Sequence, residues 1–270
     1  MNPAEYDRMY GAEDHYWWYR SRRELVVDAA SRLGLPPGAT VVDVGCGTGA
    51  TARDLGRFGR VIGVDFSPLA LGLCRRRGLG DLLRGSAERL PMADGSADLI
   101  VATDILEHLD DDRAALAEFR RVLKPGGHLV ATVPAYQFLW SEHDEALMHR
   151  RRYVAGELGR RADAAGFDRV RLGYTLSLLF PLALGRLLRR PKPTGRAPEA
   201  QVKPVPPLLN EALVRFQRFE NGLLRRLPLP WGLSVVAVLR RPTTAAVAQR
   251  RPAARPTVAA AGRSIAGVMR

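Results

Sequence analysis

Three stretches of the chain carry side chains that could do chemistry. The first is Asp43-Val44-Gly45-Cys46-Gly47-Thr48-Gly49, an acid followed by glycines at alternate positions. Glycines there leave no Cβ between a ligand and the backbone and tolerate positive φ. The second is one acid, Asp65, 22 residues after Asp43. The third is Thr103-Asp104-Ile105-Leu106-Glu107-His108, with His143, His149 and Arg150-Arg151-Arg152 further along the chain. Carboxylates accept hydrogen bonds from hydroxyls and ammonium groups, and imidazoles can take a proton near neutral pH. A Gly-x-Gly-x-Gly turn alone is a weak signal, so its meaning rests on the elements around it.

Those elements alternate between strand and helix. Val41 to Val44 is a β-branched run that ends at the glycine turn, and Ala50 to Leu55 continues with helix-compatible residues: the strand–turn–helix layout of a nucleotide-binding unit. Further strands are expected at Arg60–Val64, Leu82–Arg84, Ala97–Ala102, His128–Val133, Val170–Tyr174 and Ser234–Leu239. Ser67-Pro68 reads as an N-cap with proline at the first helical position. Asp110-Asp111-Asp112 opens a helix that buries Leu116, Phe119, Val122 and Leu123, and Pro125-Gly126-Gly127 is expected to stop it. The alternation implies a parallel sheet with its ligand at the strand C-termini.

Composition narrows the class. The 270 residues are 46% hydrophobic, enough for one α/β domain with additions. Cys46 and Cys74 offer no disulfide framework, and residues 1–7 are polar and acidic, so a reduced, cytoplasmic setting without a signal peptide is expected. The longest apolar run, Leu176 to Leu188, falls short of a bilayer span and contains Arg186. The net charge of +13 is uneven: from Arg186 onward 17 basic residues face 3 acidic ones, while the first 185 residues are nearly balanced. A nucleic-acid footprint would be expected near the site, so the asymmetry disfavours nucleic acid as partner.

At this order and spacing the sequence resembles the class I S-adenosylmethionine-dependent methyltransferase family, small-molecule type. Asp43 to Gly49 looks like its first motif, Asp65 like the acid closing its second strand, and Leu123-Lys124-Pro125-Gly126-Gly127 like the turn before its fifth. The resemblance covers residues 38–175 and the last strand. It implies a Rossmann-like doubly wound α/β sheet of seven strands, mostly parallel with an antiparallel last strand; residues 176–230 read as a helical insertion before that strand. It also implies S-adenosyl-L-methionine as cofactor. Asp43, Gly45, Gly47 and Gly49 would surround the methionine and ribose portions, and Asp65 would accept both ribose hydroxyls. Phe66 would lie on the adenine face, Ala87 and Glu88 near its edge, and Asp104 and Ile105 along the methionyl end. A nicotinamide dehydrogenase would want Gly-x-Gly-x-x-Gly, and position 48 is Thr. A base-amine methyltransferase would carry Asn/Asp-Pro-Pro-Tyr/Phe where this chain has Asp104-Ile105-Leu106-Glu107. RNA or protein methylation, and a catalytically idle binding protein, stand as alternatives.

The domain plan expected is a cap over residues 1–37, a core over 38–175, an insertion over 176–230, the last strand over 231–241 and a disordered tail over 242–270. The cap reads either as aromatic packing on the sheet edge or as a lid, with an amphipathic helix from Ser21 to Leu35. Trp17, Trp18 and Arg22 of the cap and Tyr136 and Trp140 of the loop after the fifth strand are candidates to hold a small-molecule or lipid-like acceptor, Arg22 by meeting a carboxylate on the ligand. His108, His143 and His149 are candidate general bases. No metal is assigned. The insertion has two readings: helices covering the sheet, or a wedge from Leu176 to Gly185 with a collar of Arg186, Arg189, Arg190, Lys192 and Arg196 on an anionic inner membrane face.

Overall fold

A computed structural model describes residues 3–188 and 205–243. Helices α1 (Pro3–Ala12) and α2 (Trp17–Ser31) precede β1 (Ala39–Val44), α3 (Ala50–Leu55), β2 (Gly59–Asp65), α4 (Pro68–Arg76), β3 (Leu82–Arg84) and β4 (Ala97–Thr103). Then follow α5 (Asp112–Val122), β5 (Leu123–Pro134), α6 (Glu142–Ala146), α7 (Ala155–Ala164), β6 (Asp168–Thr175), α8 (Phe180–Leu188), α9 (Pro207–Leu224) and β7 (Ser234–Arg240). One seven-stranded sheet has the order β3-β2-β1-β4-β5-β7-β6. Strands β1 to β5 pair in parallel, and β7 runs antiparallel between β5 and β6. The chain steps outward from β1 to β3, then returns to β4 on the other side of β1. That reversal opens a crevice beyond the C-termini of β1 and β4, where open α/β sheets bind their ligands.

Both faces of the sheet are covered, which is why its strands are apolar throughout rather than alternating. Val42, Val44, Ile100 and Ala102 pack with Leu116 and Phe119 of α5 and Leu158 of α7. Their neighbours Val41, Leu99 and Val101 face the other way, against Val26, Ala29 and Ala30 of α2 and Leu55 of α3. The N-cap at Ser67 is present, its side chain accepting from the Ala70 N–H.

Several boundaries differ from the sequence reading. Helix α2 begins at Trp17 rather than Ser21, because α9 holds its first turn: Asn210 Oδ1 accepts the Trp17 N–H at 2.8 Å. The Lys124-Pro125-Gly126-Gly127 stretch does not precede β5 but bulges within it. Leu123 pairs with Ala97 and His128 with Leu99, so the residues between loop outward. The Gly126 N–H donates to the Arg241 carbonyl at 2.8 Å, and a Cβ on Gly127 would stand 3.1 Å from the Asp98 carbonyl.

The insertion divides into two parts. Helix α9 lies on α2, with Arg218–Glu24, Arg225–Asp28 and Arg20–Glu211 ion pairs along the seam. Exposed pairs of this kind contribute little, so the buried Val214, Gln217, Glu220 and Leu224 hold the contact. Glu220 accepts the backbone N–H groups of Ser177 and Leu178, pinning the turn after β6. Leu176 and Ser177 are therefore buried and not part of a free apolar wedge, whereas Leu178, Leu182 and Leu184 are exposed. Arg189, Arg190, Lys192 and Arg196 of the expected collar, and nearly all of the expected tail, lie outside the described residues, as does the Arg186 side chain.

Candidate cofactor and acceptor site

The glycine turn leaves β1 with positive φ at Gly45 (70°), Gly47 (54°) and Gly49 (91°). A side chain at Gly45 would strike Ile105 at 2.8 Å, so this glycine lets the ends of β1 and β4 approach. Asp65 faces the turn from the end of β2. Its Oδ2 accepts the Gly47 N–H at 2.9 Å and its Oδ1 the Ser67 N–H at 2.8 Å. Each oxygen keeps a second lone pair, so the carboxylate is oriented by backbone and can still accept from a ligand diol. Phe66 is 72% exposed beside it, with the Arg84 guanidinium 5.7 Å from its ring. Ala87 is buried. Glu88 Oε1 accepts the Asp111 N–H at 3.1 Å, tying this loop to the start of α5.

Helix α1 lies over the same turn. The methyl of Met9 sits 2.9 Å from where a Cβ on Gly47 would be, and the Thr48 hydroxyl donates to the Glu13 carboxylate. Arg77, just after α4, fastens the helix: it pairs with Glu13 (3.1 Å) and Asp14 (2.6 Å) and lies 4.4 Å from the Tyr10 ring centroid. Helix α2 packs on the sheet through Val26, Ala29 and Ala30, and α1 lies over the turn. Burial raises the Glu13 carboxyl, against the opposing Thr48 and Arg77 contacts. Burial raises Asp65 too, and pushes Asp43 up to about 8 with help from the negative charges of Glu13 and Asp65. Glu13, Arg77 and Met9 carried no sequence signal, since their contacts at the turn are distant in the chain: Glu13 meets Thr48 35 residues away, and Arg77 meets Thr48 29 residues away.

Across the crevice Asp104 takes φ = 51° at the end of β4, and its N–H donates to the Thr132 carbonyl at 2.9 Å. Arg22 from α2 donates to the Asp104 carboxylate, to Thr132 Oγ1 (2.9 Å) and to Ser234 Oγ (3.2 Å). Its guanidinium lies 4.5 Å from the Trp18 ring centroid. Arg22 therefore meets a carboxylate of the protein itself. Beside it Trp18, Ser21, Leu25, Leu176, Gln217 and Asn221 line a small cavity. Trp17 is at the α9 contact. Tyr136 stacks on Tyr174 (5.3 Å) and Phe138 (5.1 Å), with Phe180 at 5.5 Å. Trp140 is half-buried at the end of the short 3-10 turn Gln137–Leu139. The expected acceptor residues thus form two groups, Trp17, Trp18 and Arg22 around α2 and Tyr136 and Trp140 in the loop after β5.

The three histidines do come together. His108 and His149 are in edge-to-face contact at 4.7 Å, and His143 lies 6.3 Å from His149. His149 Nδ1 is 2.9 Å from Asp144 Oδ1, and Arg152 grips both oxygens of that carboxylate at 2.8 Å. Burial would raise Asp144, but these hydrogen bonds prevail and hold it well below the usual carboxylate range. Burial, then the His149 charge, pushes His108 down to about 3, so its imidazole is neutral and weakly basic at pH 7. Next to it is a residue the sequence reading passed over. Glu107 is fully buried, and neither carboxylate oxygen has a hydrogen-bond partner. Its place directly before His108 was the available signal.

The family described as "Methyltransferase domain" matches residues 42–131. A probable S-adenosylmethionine-dependent methyltransferase of Mycolicibacterium smegmatis is 32% identical over 163 residues, 58% of this chain and 61% of that protein. A demethylmenaquinone methyltransferase of Renibacterium salmoninarum is 41% identical over 114 residues, 41% of this chain and 46% of its own length. The chain thus spans about half to three-fifths of these curated relatives. Among solved structures, an S-adenosylmethionine-dependent methyltransferase from Thermotoga maritima superposes with a TM-score of 0.56 at 24% identity, covering 88% of this chain and 95% of that one, a likeness of fold. The sheet is that of a Rossmann-like methyltransferase. Residues 42–131 thus carry a methyltransferase domain, and the chain is similar to class I S-adenosylmethionine-dependent methyltransferases, whose cofactor is S-adenosyl-L-methionine.

The raised acids at the glycine turn set a pH dependence. A carboxyl raised on folding keeps a proton that the unfolded chain has released, so stability falls as pH rises between the ordinary value near 4 and the folded value. For Asp43 that window runs from about 4 to about 8. Urea unfolding of the ligand-free protein should show lower stability at pH 8 than at pH 5, and Asp43→Asn should shrink the difference. Superimposable wild-type and Asp43→Asn profiles would contradict the assignment.

Proposed function

We propose that this protein transfers the methyl group of S-adenosylmethionine to a small or lipid-like acceptor at the crevice between β1 and β4. The observation that carries the reading is Asp65, oriented by the Gly47 and Ser67 N–H groups with acceptor capacity to spare beside a positive-φ glycine turn. The bound cofactor supplies the electrophilic methyl, so the protein's work is alignment and proton handling. Asp65 holds a ribose, the open backbone at Gly45 and Gly47 admits the chain of the ligand, and Asp104 with Ile105 bounds its amino-acid end. Helix α1, with Met9 and Glu13 on the turn, closes this side from water. Proton removal from the acceptor falls to the histidine group, and His149 has the better geometry because Asp144 fixes its Nδ1.

A lipid-like acceptor is supported by the apolar surroundings: Trp18, Leu25 and Leu176 around the cavity, and Tyr136, Phe138 and Phe180 at the outer loop. The demethylmenaquinone methyltransferase relative points the same way. Peripheral attachment to an anionic membrane fits this reading. Among the described residues no helix is long and apolar enough to cross a membrane. Helix α8 nevertheless exposes Leu182 at 71%, with Leu178 and Leu184 beside it.

Two measurements test these statements. Titration calorimetry of the wild type should show binding of S-adenosylmethionine and S-adenosylhomocysteine. Asp65→Ala, which removes two hydrogen bonds to a charged acceptor, should weaken it by at least about 100-fold. No binding by the wild type, or unchanged binding by Asp65→Ala, would overturn the cofactor reading. In co-sedimentation the protein should pellet with anionic but not neutral vesicles, less so at high salt. Leu182→Glu should abolish pelleting. A protein that stays in the supernatant at low salt would dismiss the membrane contact.

A further inference from the structure

The fully buried Glu107 presents two carboxylate oxygens with no hydrogen-bond partner. Buried carboxylates without partners are costly, and such a group calls for a proton or a cation. The nearby charges do not supply one. Arg22 is engaged by Asp104, and Arg152 grips both oxygens of Asp144. Each guanidinium is thus matched by its own carboxylate, and ionised Glu107 would stand as the surplus negative charge.

The side chains next to Glu107 are two imidazoles. One ligand atom each from Glu107, His108 and His149 lies within 4.8 Å of the others. Both rings are already held by one nitrogen: His149 Nδ1 by the Asp144 carboxylate at 2.9 Å, and His108 by the Met148 backbone. Metal-binding histidines are typically oriented this way, by a carboxylate or a carbonyl on the nitrogen that does not bind the ion. The backbone is fixed as well, since the Arg150 N–H donates to the Glu107 carbonyl at 2.8 Å and Arg150 Nε to the His108 carbonyl at 3.1 Å.

We propose that Glu107, His108 and His149 form a binding site for one divalent first-row transition metal, with Asp144 positioning His149. Two imidazoles and one carboxylate form a donor set that suits zinc, iron or manganese rather than magnesium or calcium. Closure around zinc, with bonds of about 2.0–2.2 Å, would draw the three donors to about 3.5 Å from one another, a modest contraction. Three protein ligands leave a tetrahedral ion one position for water or an acceptor oxygen. A bound ion would take the second His149 nitrogen and so displace His149 as the proton acceptor proposed above; any part in methyl transfer rests on that proposed function, metal binding does not.

The test uses the full chain with any affinity tag removed, stripped with chelator and titrated with Zn²⁺ against a chromophoric competitor. Wild type should bind one equivalent, and Zn²⁺ should raise its melting temperature. Glu107→Gln, which keeps the shape and removes the buried charge, should fold and lose both effects, as should His149→Ala. Asp144→Asn should weaken binding about 10- to 100-fold. His128→Ala, on β5 outside the cluster, should bind as wild type does. Co²⁺ in the wild type should give visible d–d absorption that Glu107→Gln lacks. Failure of the wild type to take up one equivalent, or Glu107→Gln binding as tightly as wild type, would overturn the proposal. Either result can arise whether or not S-adenosylmethionine binds.

Discussion

The buried contact between Arg22 and Asp104 is the constraint on which the site depends. A guanidinium taken out of water must be met by acceptors on nearly every side. Here they come from three strand ends: Asp104 after β4, Thr132 on β5 and Ser234 on β7. Satisfying one side chain therefore fixes the relative positions of three strands and of α2, which delivers it. Trp18 covers the guanidinium face, so the aromatic residues of the cap are placed by the same requirement. Asp104 is drawn into positive φ at the point where Ile105 fills the space left open by Gly45.

Electrostatics on the other wall of the crevice runs in the opposite sense. Asp43, Glu13 and Asp65 crowd around the glycine turn, and all three are raised by burial. Arg77 and Arg23 reach Glu13 from outside, but nothing in the turn itself is cationic. A ligand carrying positive charge would relieve this wall, and a sulfonium with an α-ammonium group is such a ligand. An anionic dinucleotide would be opposed by it.

Much of this was legible in the sequence, for a physical reason. The strand–turn–helix unit at 41–55, the acid at 65 and the N-cap at Ser67 are short-range patterns whose meaning lies in neighbouring residues. Where the structure departed, distant contacts decided. Helix α2 starts four residues early because Asn210 caps it, and β5 starts before its Pro-Gly-Gly because Leu123 pairs with Ala97. Arg22 read as a ligand contact because its partner lies 82 residues away. The histidines could be named one by one, but not as a group. Glu107 could be noticed only as the neighbour of His108, because the burial that leaves it without partners is a property of the assembled loop, 106–108 against 149–152.

The central claim is that the crevice between β1 and β4 holds the cofactor. It is tested most directly by hydrogen exchange of the full chain with and without saturating S-adenosylhomocysteine. Protection should rise at the amides of Gly45 to Gly49, of Phe66 and Ser67 and of the loop at 86–88, with α1 slowing as it settles on the turn. The paired strands β6 and β7 should not change. Protection confined to α8 and α9, or no change at the glycine turn with ligand in excess, would contradict the account.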